Sequence, residues 1–158
     1  MFSTGYVVAV IGIALCVFAC GLGSAIGLFK TCTAAAGVAG ENPKKFNGTL
    51  TVLMLLPATQ GLYGFLIAII ASTKLEALLS VSAEMGVGAQ GWALFAACLP
   101  MALSGFISAF FQGKAAVNSM YALGKQDSLG FKIVMGPAMI EFYALLGLVI
   151  SILVVLAI

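Results

Sequence analysis

The chain contains no histidine, and only 8% of its residues are charged. The first absence removes imidazole as a metal ligand or acid–base group. The second lies far below the roughly one quarter typical of a water-soluble domain. No P-loop occurs, so nucleotide is not bound through that motif. The four cysteines, Cys16, Cys20, Cys32 and Cys98, show neither metal-ligand spacing nor a disulfide pattern. They read as small apolar packing residues. A net charge of +2 is too small to argue for nucleic acid.

What is present is hydrophobic, at 63% of residues. Residues 5–29, 46–73 and 85–113 carry no charge, and 133–158 carries one acidic side chain, Glu141. Each run exceeds the ~20 residues a helix needs to cross hydrocarbon. None shows the polar face a soluble bundle would require. The expected fold class is an all-α membrane protein with four transmembrane helices. The segment Val17-Phe18-Ala19-Cys20 faintly resembles a lipoprotein cleavage box. No positive charge precedes it and the apolar run is long for a signal core, so the mature chain is expected to begin at or near Met1.

Six of the seven lysines (Lys30, Lys44, Lys45, Lys114, Lys125, Lys132) flank the connections between spans 1 and 2 and between spans 3 and 4. The other side has Lys74 with Glu76 and Glu84. The positive-inside rule then places the lysine-bearing loops in the cytoplasm and both termini outside. Spans 1 and 3 are expected to continue as helix about three turns past Lys30 and Lys114, to Gly40 and Gly124.

The chain repeats itself. A shift of 84 superposes Gly21, Ser24, Ala25, Lys30 and Gly40 on Gly105, Ser108, Ala109, Lys114 and Gly124. A shift of 80 superposes Pro57, Ala58, Tyr63, Leu66 and Ile70 on Pro137, Ala138, Tyr143, Leu146 and Ile150. Two hairpins result, 1–80 and 81–158, in the same orientation and so a parallel repeat. Glu141 falls on Gly61, so one half has the carboxylate and the other lacks it. Small residues recur at steps of four in span 1: Gly12, Cys16, Cys20 and Ser24, and Ala19, Gly23 and Gly27. Span 3 has Ser104, Gly105, Ser108, Ala109 and Gly113. Such stripes let backbones approach closely in lipid. They suit either packing within one chain or the crowded inner wall of a ring, with the bulkier spans 2 and 4 outside.

A charge near the bilayer centre costs roughly 3 kcal/mol on insertion scales, which makes Glu141 an ion or proton site by default. In span 2, Leu56, Thr59, Gln60 and Tyr63 share one helix face. Pro57 cannot donate to the Leu53 carbonyl and loosens the ladder there. Gln112 lies about a turn inside span 3. One carboxylate with several neutral oxygens suits a hard monovalent cation, because a divalent ion calls for more carboxylates. A proton needs the carboxylate alone. Structural readings stand beside this one. Thr59 can bond its own helix, Gln60 and Gln112 can pair as helix glue, Tyr63 and Tyr143 can simply pack, and Glu141 can be buried and protonated.

The duplicated hairpins, the single carboxylate in the last span, and the stretches Leu56-Pro57-Ala58-Thr59-Gln60-Gly61-Leu62-Tyr63-Gly64 and Glu141-Phe142-Tyr143-Ala144-Leu145-Leu146-Gly147 resemble the proteolipid (c or K) subunit of V-type sodium-translocating rotary ATPases. The resemblance covers essentially the whole chain. It implies a homo-oligomeric rotor ring in lipid, turning against an a/I-type stator subunit that bears a cationic residue. It implies one transported Na+ per subunit, held by Glu141, Gln60, Gln112, the Thr59 hydroxyl and the Leu56 carbonyl, with Tyr63 hydrogen-bonded to the carboxylate. The loop 40–45 is expected to dock a central stalk, though it can also be read as a solvated turn. A bacterial plasma membrane is the expected location. The alternatives are a proton-carrying ring of the same kind, a small four-helix secondary transporter, and a structural scaffold.

Overall fold

The computed structural model describes residues 4–80 and 87–158, with the side chains of 76–80 and 87 left undescribed. The expectations that rest on Met1, Glu84, the Glu76 side chain and the 80/81 hairpin boundary fall outside these residues. Helix α1 spans Thr4–Glu41, α2 Gly48–Leu55, α3 Thr59–Ser80, α4 Val87–Lys125 and α5 Met135–Ala157. A 3-10 turn at Leu56–Ala58 joins α2 to α3, so these two form one continuous span. Among the described residues there is no strand, and four helical stretches are long and apolar enough to cross a membrane.

Two of these helices are longer than a bilayer requires. The 38 residues of α1 rise about 57 Å against a hydrocarbon core of about 30 Å. Helix α4 has 39 residues and ends at Lys125, so both continue past Lys30 and Lys114 as expected. Polar residues start the elements that follow α1. Asn42 caps the 3-10 turn Pro43–Lys45 by accepting from the Lys44 N–H at 3.1 Å. Asn47 caps α2 by accepting from the Leu50 N–H at 3.1 Å. The connection Asp127–Val134 turns at Gly130, whose φ of 50° is a conformation that favours glycine. Lys45 and Asp127 form an ion pair that ties the two lysine-rich connections together at one end of the molecule.

Helices α1 and α4 make the most extensive pairing, with α3 laid against α1 and α5 against α4. The small residues explain this order. A methyl group added at Gly27 would lie 2.6 Å from Pro57 Cβ and 2.9 Å from the Ala109 carbonyl oxygen, so three helices meet on that glycine. One added at Gly113 would lie 2.7 Å from Gly27 Cα. The stripe Gly12, Cys16, Cys20 and Ser24 is buried along its length, as are Gly23 and Gly27. The two small-residue spans thus form the inner pair of the chain and the bulkier ones its flanks. Leu62, Phe65, Leu66 and Ile69 on α3 and Phe142, Leu146, Val149 and Leu153 on α5 stand exposed, as lipid-facing or partner-facing residues would.

Two buried clusters fill the interior. One joins Cys16, Cys20, Ile67, Met101, Ala144 and Leu148 in the membrane region. The other joins Ala34, Val38, Leu50, Leu53, Met120 and Val134 near the lysine-rich end. Pro100 lies inside α4, and the adjacent Met101 N–H donates to Ser151 Oγ of α5 at 3.0 Å.

Gly27→Ala should lower the thermal stability of the purified protein, because overpacking typically costs about 1–3 kcal/mol. Gly21→Ala, with nothing within 4 Å of the new methyl, should be neutral or slightly stabilising. Comparing the two melting temperatures in one detergent checks the close approach.

Candidate ion-binding site

The site begins with Pro57. Its missing N–H breaks the α ladder, and residues Leu56–Ala58 tighten into a 3-10 turn. The carbonyls left over find new donors. Thr31 of α1, fully buried, donates its hydroxyl to the Met54 carbonyl at 2.7 Å. Thr59 donates its hydroxyl to the Leu56 carbonyl at 3.0 Å, and the Thr59 N–H reaches the same oxygen. Sequence reasoning missed Thr31, because a single threonine in an apolar helix with a backbone partner leaves no pattern to read.

Below the turn, α3 presents Gln60 and Tyr63 toward α4 and α5. Gln60 and Gln112 are both fully buried. Gln112 donates from Nε2 to the Pro137 carbonyl at 3.2 Å, and Gln60 donates from Nε2 to Gln112 Oε1 at 2.6 Å. The order of this chain of bonds is forced. A carbonyl can only accept, so Gln112 must turn its NH2 toward Pro137 and its oxygen toward Gln60. Gln60 must then spend its own NH2 on Gln112. Its Oε1 is left buried with no partner, a state that costs about 1–3 kcal/mol unless something donates to it or binds there.

One turn beyond Pro137 on the same face of α5 stands Glu141, half-buried. Tyr63 donates its hydroxyl to Glu141 Oε1 at 2.7 Å, a charge-assisted bond when the carboxylate is ionised. Tyr63 also interacts with the Thr59 hydroxyl one turn away on α3. The second carboxylate oxygen takes no hydrogen bond from the described residues. Tyr143, the repeat counterpart of Tyr63, is 68% exposed and stands apart from the site.

Of the sequence-derived set, the structure pairs Gln60 with Gln112, Thr59 with the Leu56 carbonyl, and Tyr63 with Glu141, across α3, α4 and α5. Thr59 does bond back to its own helix, and the two glutamines do pair. Neither bond uses up the site. The Thr59 oxygen keeps its lone pairs and Gln60 Oε1 stays free. Of the set, the Leu56 carbonyl has its lone pairs most fully engaged. An orphaned amide oxygen and a free carboxylate oxygen are hard, oxygen-only donors of total charge −1, which fits a monovalent hard cation. Among the described residues, no cluster of three or more acidic or thiol groups exists to hold a divalent metal.

The repeat also explains why there is one such site and not two. Under the two shifts, Gln112 falls on Leu28, Thr59 on Met139, Gln60 on Ile140 and Glu141 on Gly61. The counterpart of each of these four polar side chains is apolar. Gly61 instead presents its backbone N–H to Ser24 Oγ at 2.7 Å.

Comparison with known proteins agrees with this duplication. The pattern of the ATP synthase C-subunit family matches residues 11–71 and again 95–154, once per hairpin. The V-type sodium ATPase subunit K of Enterococcus hirae is 41% identical over 152 residues, covering 96% of this chain and 92% of that protein. The A-type ATP synthase subunit K of Methanocaldococcus jannaschii is 39% identical over 152 residues, covering 96% of this chain and 63% of that longer protein. With two family matches over most of its length, four apolar helices and a doubled hairpin, the chain is an integral membrane protein of the ATP synthase C-subunit family.

Proposed function

We propose that this chain is the sodium-carrying unit of a V-type rotor ring, binding one Na+ at Glu141 and moving it between two half-channels as the ring turns. The observation that carries this reading is Gln60 Oε1, buried and unpartnered one turn before Tyr63, whose hydroxyl donates to the Glu141 carboxylate. A proton on Glu141 would satisfy the carboxylate and leave that oxygen orphaned. A sodium ion coordinated by both would satisfy both. Glu141, Gln60, Gln112, Thr59 and the Leu56 carbonyl hold the ion, and Tyr63 orients the carboxylate.

With Na+ bound the site is neutral, so the chain can face lipid without exposing a charge. Near a stator cation the carboxylate finds a competing partner, and its hold on Na+ weakens. Rotation driven by ATP hydrolysis elsewhere in the complex then delivers the empty site to the second half-channel. The loops at the Lys45–Asp127 end face the cytoplasm and dock the central stalk, with both termini outside, in a bacterial plasma membrane. The sodium ATPase relative supports this choice of ion by its name.

Sodium-22 binding to the purified protein tests the reading. It should saturate at one ion per chain, with potassium a poor competitor. Absence of saturable sodium binding at neutral pH would remove the sodium assignment and leave a proton ring.

A further inference from the structure

Helix α1 supplies none of the oxygens of the proposed ion site, yet two of its hydroxyls grip the stretch that does. Ser24 and Thr31 are seven residues apart and share one face of α1. Both are buried. Thr31 donates to the Met54 carbonyl at 2.7 Å, and Ser24 Oγ accepts the Gly61 N–H at 2.7 Å. The single Thr31 proton has a second carbonyl in reach, that of Leu28 at 3.1 Å, but the shorter contact crosses to α2. Met54 lies in the last turn of α2 and Gly61 in the first turn of α3, where carbonyls and N–H groups run out of partners within their own helix. The two hydroxyls therefore cap the break at Pro57 from outside, one on each side. Between them Gly27 gives Pro57 its seat, since a methyl group there would lie 2.6 Å from Pro57 Cβ.

The second hairpin provides a comparison. The counterpart of Thr31 is Ala115, which has no hydroxyl. Ser108, the counterpart of Ser24, donates to the Gly105 carbonyl of its own helix at 3.2 Å. Pro137, the counterpart of Pro57, lies in the first turn of α5, where its missing N–H leaves no gap in the ladder. Bracing from outside is thus found in the hairpin whose proline breaks a span. There the Leu56 carbonyl, the Thr59 hydroxyl and Gln60 Oε1 all fall between the two braced points, Met54 and Gly61.

We propose that Thr31 and Ser24 are positioning residues that set the cation selectivity of the site, a role that rests on the sodium reading above. Monovalent hard cations carry the same charge and differ chiefly in size. Choosing among them requires oxygens held at a fixed spacing, since a yielding set closes on a smaller ion or opens for a larger one. Without the Thr31 hydroxyl the Met54 carbonyl loses its donor, and the turn Leu56–Ala58 is free to relax.

The test is sodium-22 binding to the purified protein, with lithium and potassium as competitors. Thr31→Val keeps the shape of the side chain and removes the hydroxyl. Its sodium affinity should fall roughly tenfold, the loss expected when a part-buried carbonyl goes unpaired. Affinity for lithium or potassium should fall less, so that discrimination narrows. Thr31→Ser should restore both sodium affinity and discrimination. Ser24→Ala should narrow discrimination from the other end of the stretch, and it carries the test should Thr31→Val fail to fold by circular dichroism. Unchanged discrimination in the folded variants, an equal loss for all three ions, or failure of Thr31→Ser to restore it would overturn the proposal. If the unaltered protein bound no sodium, the sodium reading itself would fall, and the proposal with it.

Discussion

Glu141→Gln should reduce coupled sodium transport to background while leaving the protein folded and in the membrane. The shape of the side chain is nearly kept, and the Tyr63 hydroxyl can still donate to an amide oxygen in place of Glu141 Oε1. What is lost is the one negative charge among 133–158. A sodium ion entering the altered site would be an uncompensated charge in a low-dielectric region. The effective penalty for such a charge is several kcal/mol, so affinity should fall by about a thousandfold or more. Sodium flux into vesicles bearing the assembled complex checks this. Transport within severalfold of the unaltered protein would mean that Glu141 does not carry the ion.

Gln112→Ala is the second large effect. Gln112 is fully buried and links both halves of the site, donating to Pro137 and accepting from Gln60. Its removal leaves Gln60 Nε2 without a partner and frees the Gln60 amide to rotate. The bond that holds the Gln60 amide in its present orientation is gone. An orphaned buried amide costs about 1–3 kcal/mol, so sodium affinity should drop on the order of tenfold to a hundredfold. Assembly should survive, since the helix pairing rests on small residues such as Gly27 and Gly113. Sodium titration of the variant decides the matter. An unchanged affinity would show that the two glutamines are helix glue and nothing more.

Much of this was legible in the sequence because lipid imposes strict rules. The charge-free runs mark the four spans, and the lysines mark where α1 and α4 leave the membrane region. The matched prolines and tyrosines reveal the doubled hairpin. The face Leu56, Thr59, Gln60, Tyr63 follows from helical spacing alone. Other features had no such signature. That Tyr63 bonds Glu141 while Tyr143 stands exposed depends on which helices touch, and both tyrosines look alike in sequence. Thr31 on the Met54 carbonyl, Ser24 on the Gly61 N–H and Ser151 on the Met101 N–H each join a lone hydroxyl to a backbone atom. No residue pattern encodes such partners. The orientation of the glutamine pair is likewise fixed by the Pro137 carbonyl, an atom present in every residue. The small-residue stripes were compatible with more than one packing; within the chain they lie between α1 and α4, a pairing that the inner wall of a ring would share.

The reading of Glu141 as a sodium carboxylate stands or falls on competition at that side chain. A hydrophobic carbodiimide attacks a protonated carboxyl in an apolar setting, and a bound cation excludes that proton. Labelling of the purified protein, followed by peptide mass analysis at constant pH, should modify Glu141, and added sodium should protect it where the same concentration of potassium does not. Labelling of Glu141 that proceeds at the same rate with and without sodium would contradict the account.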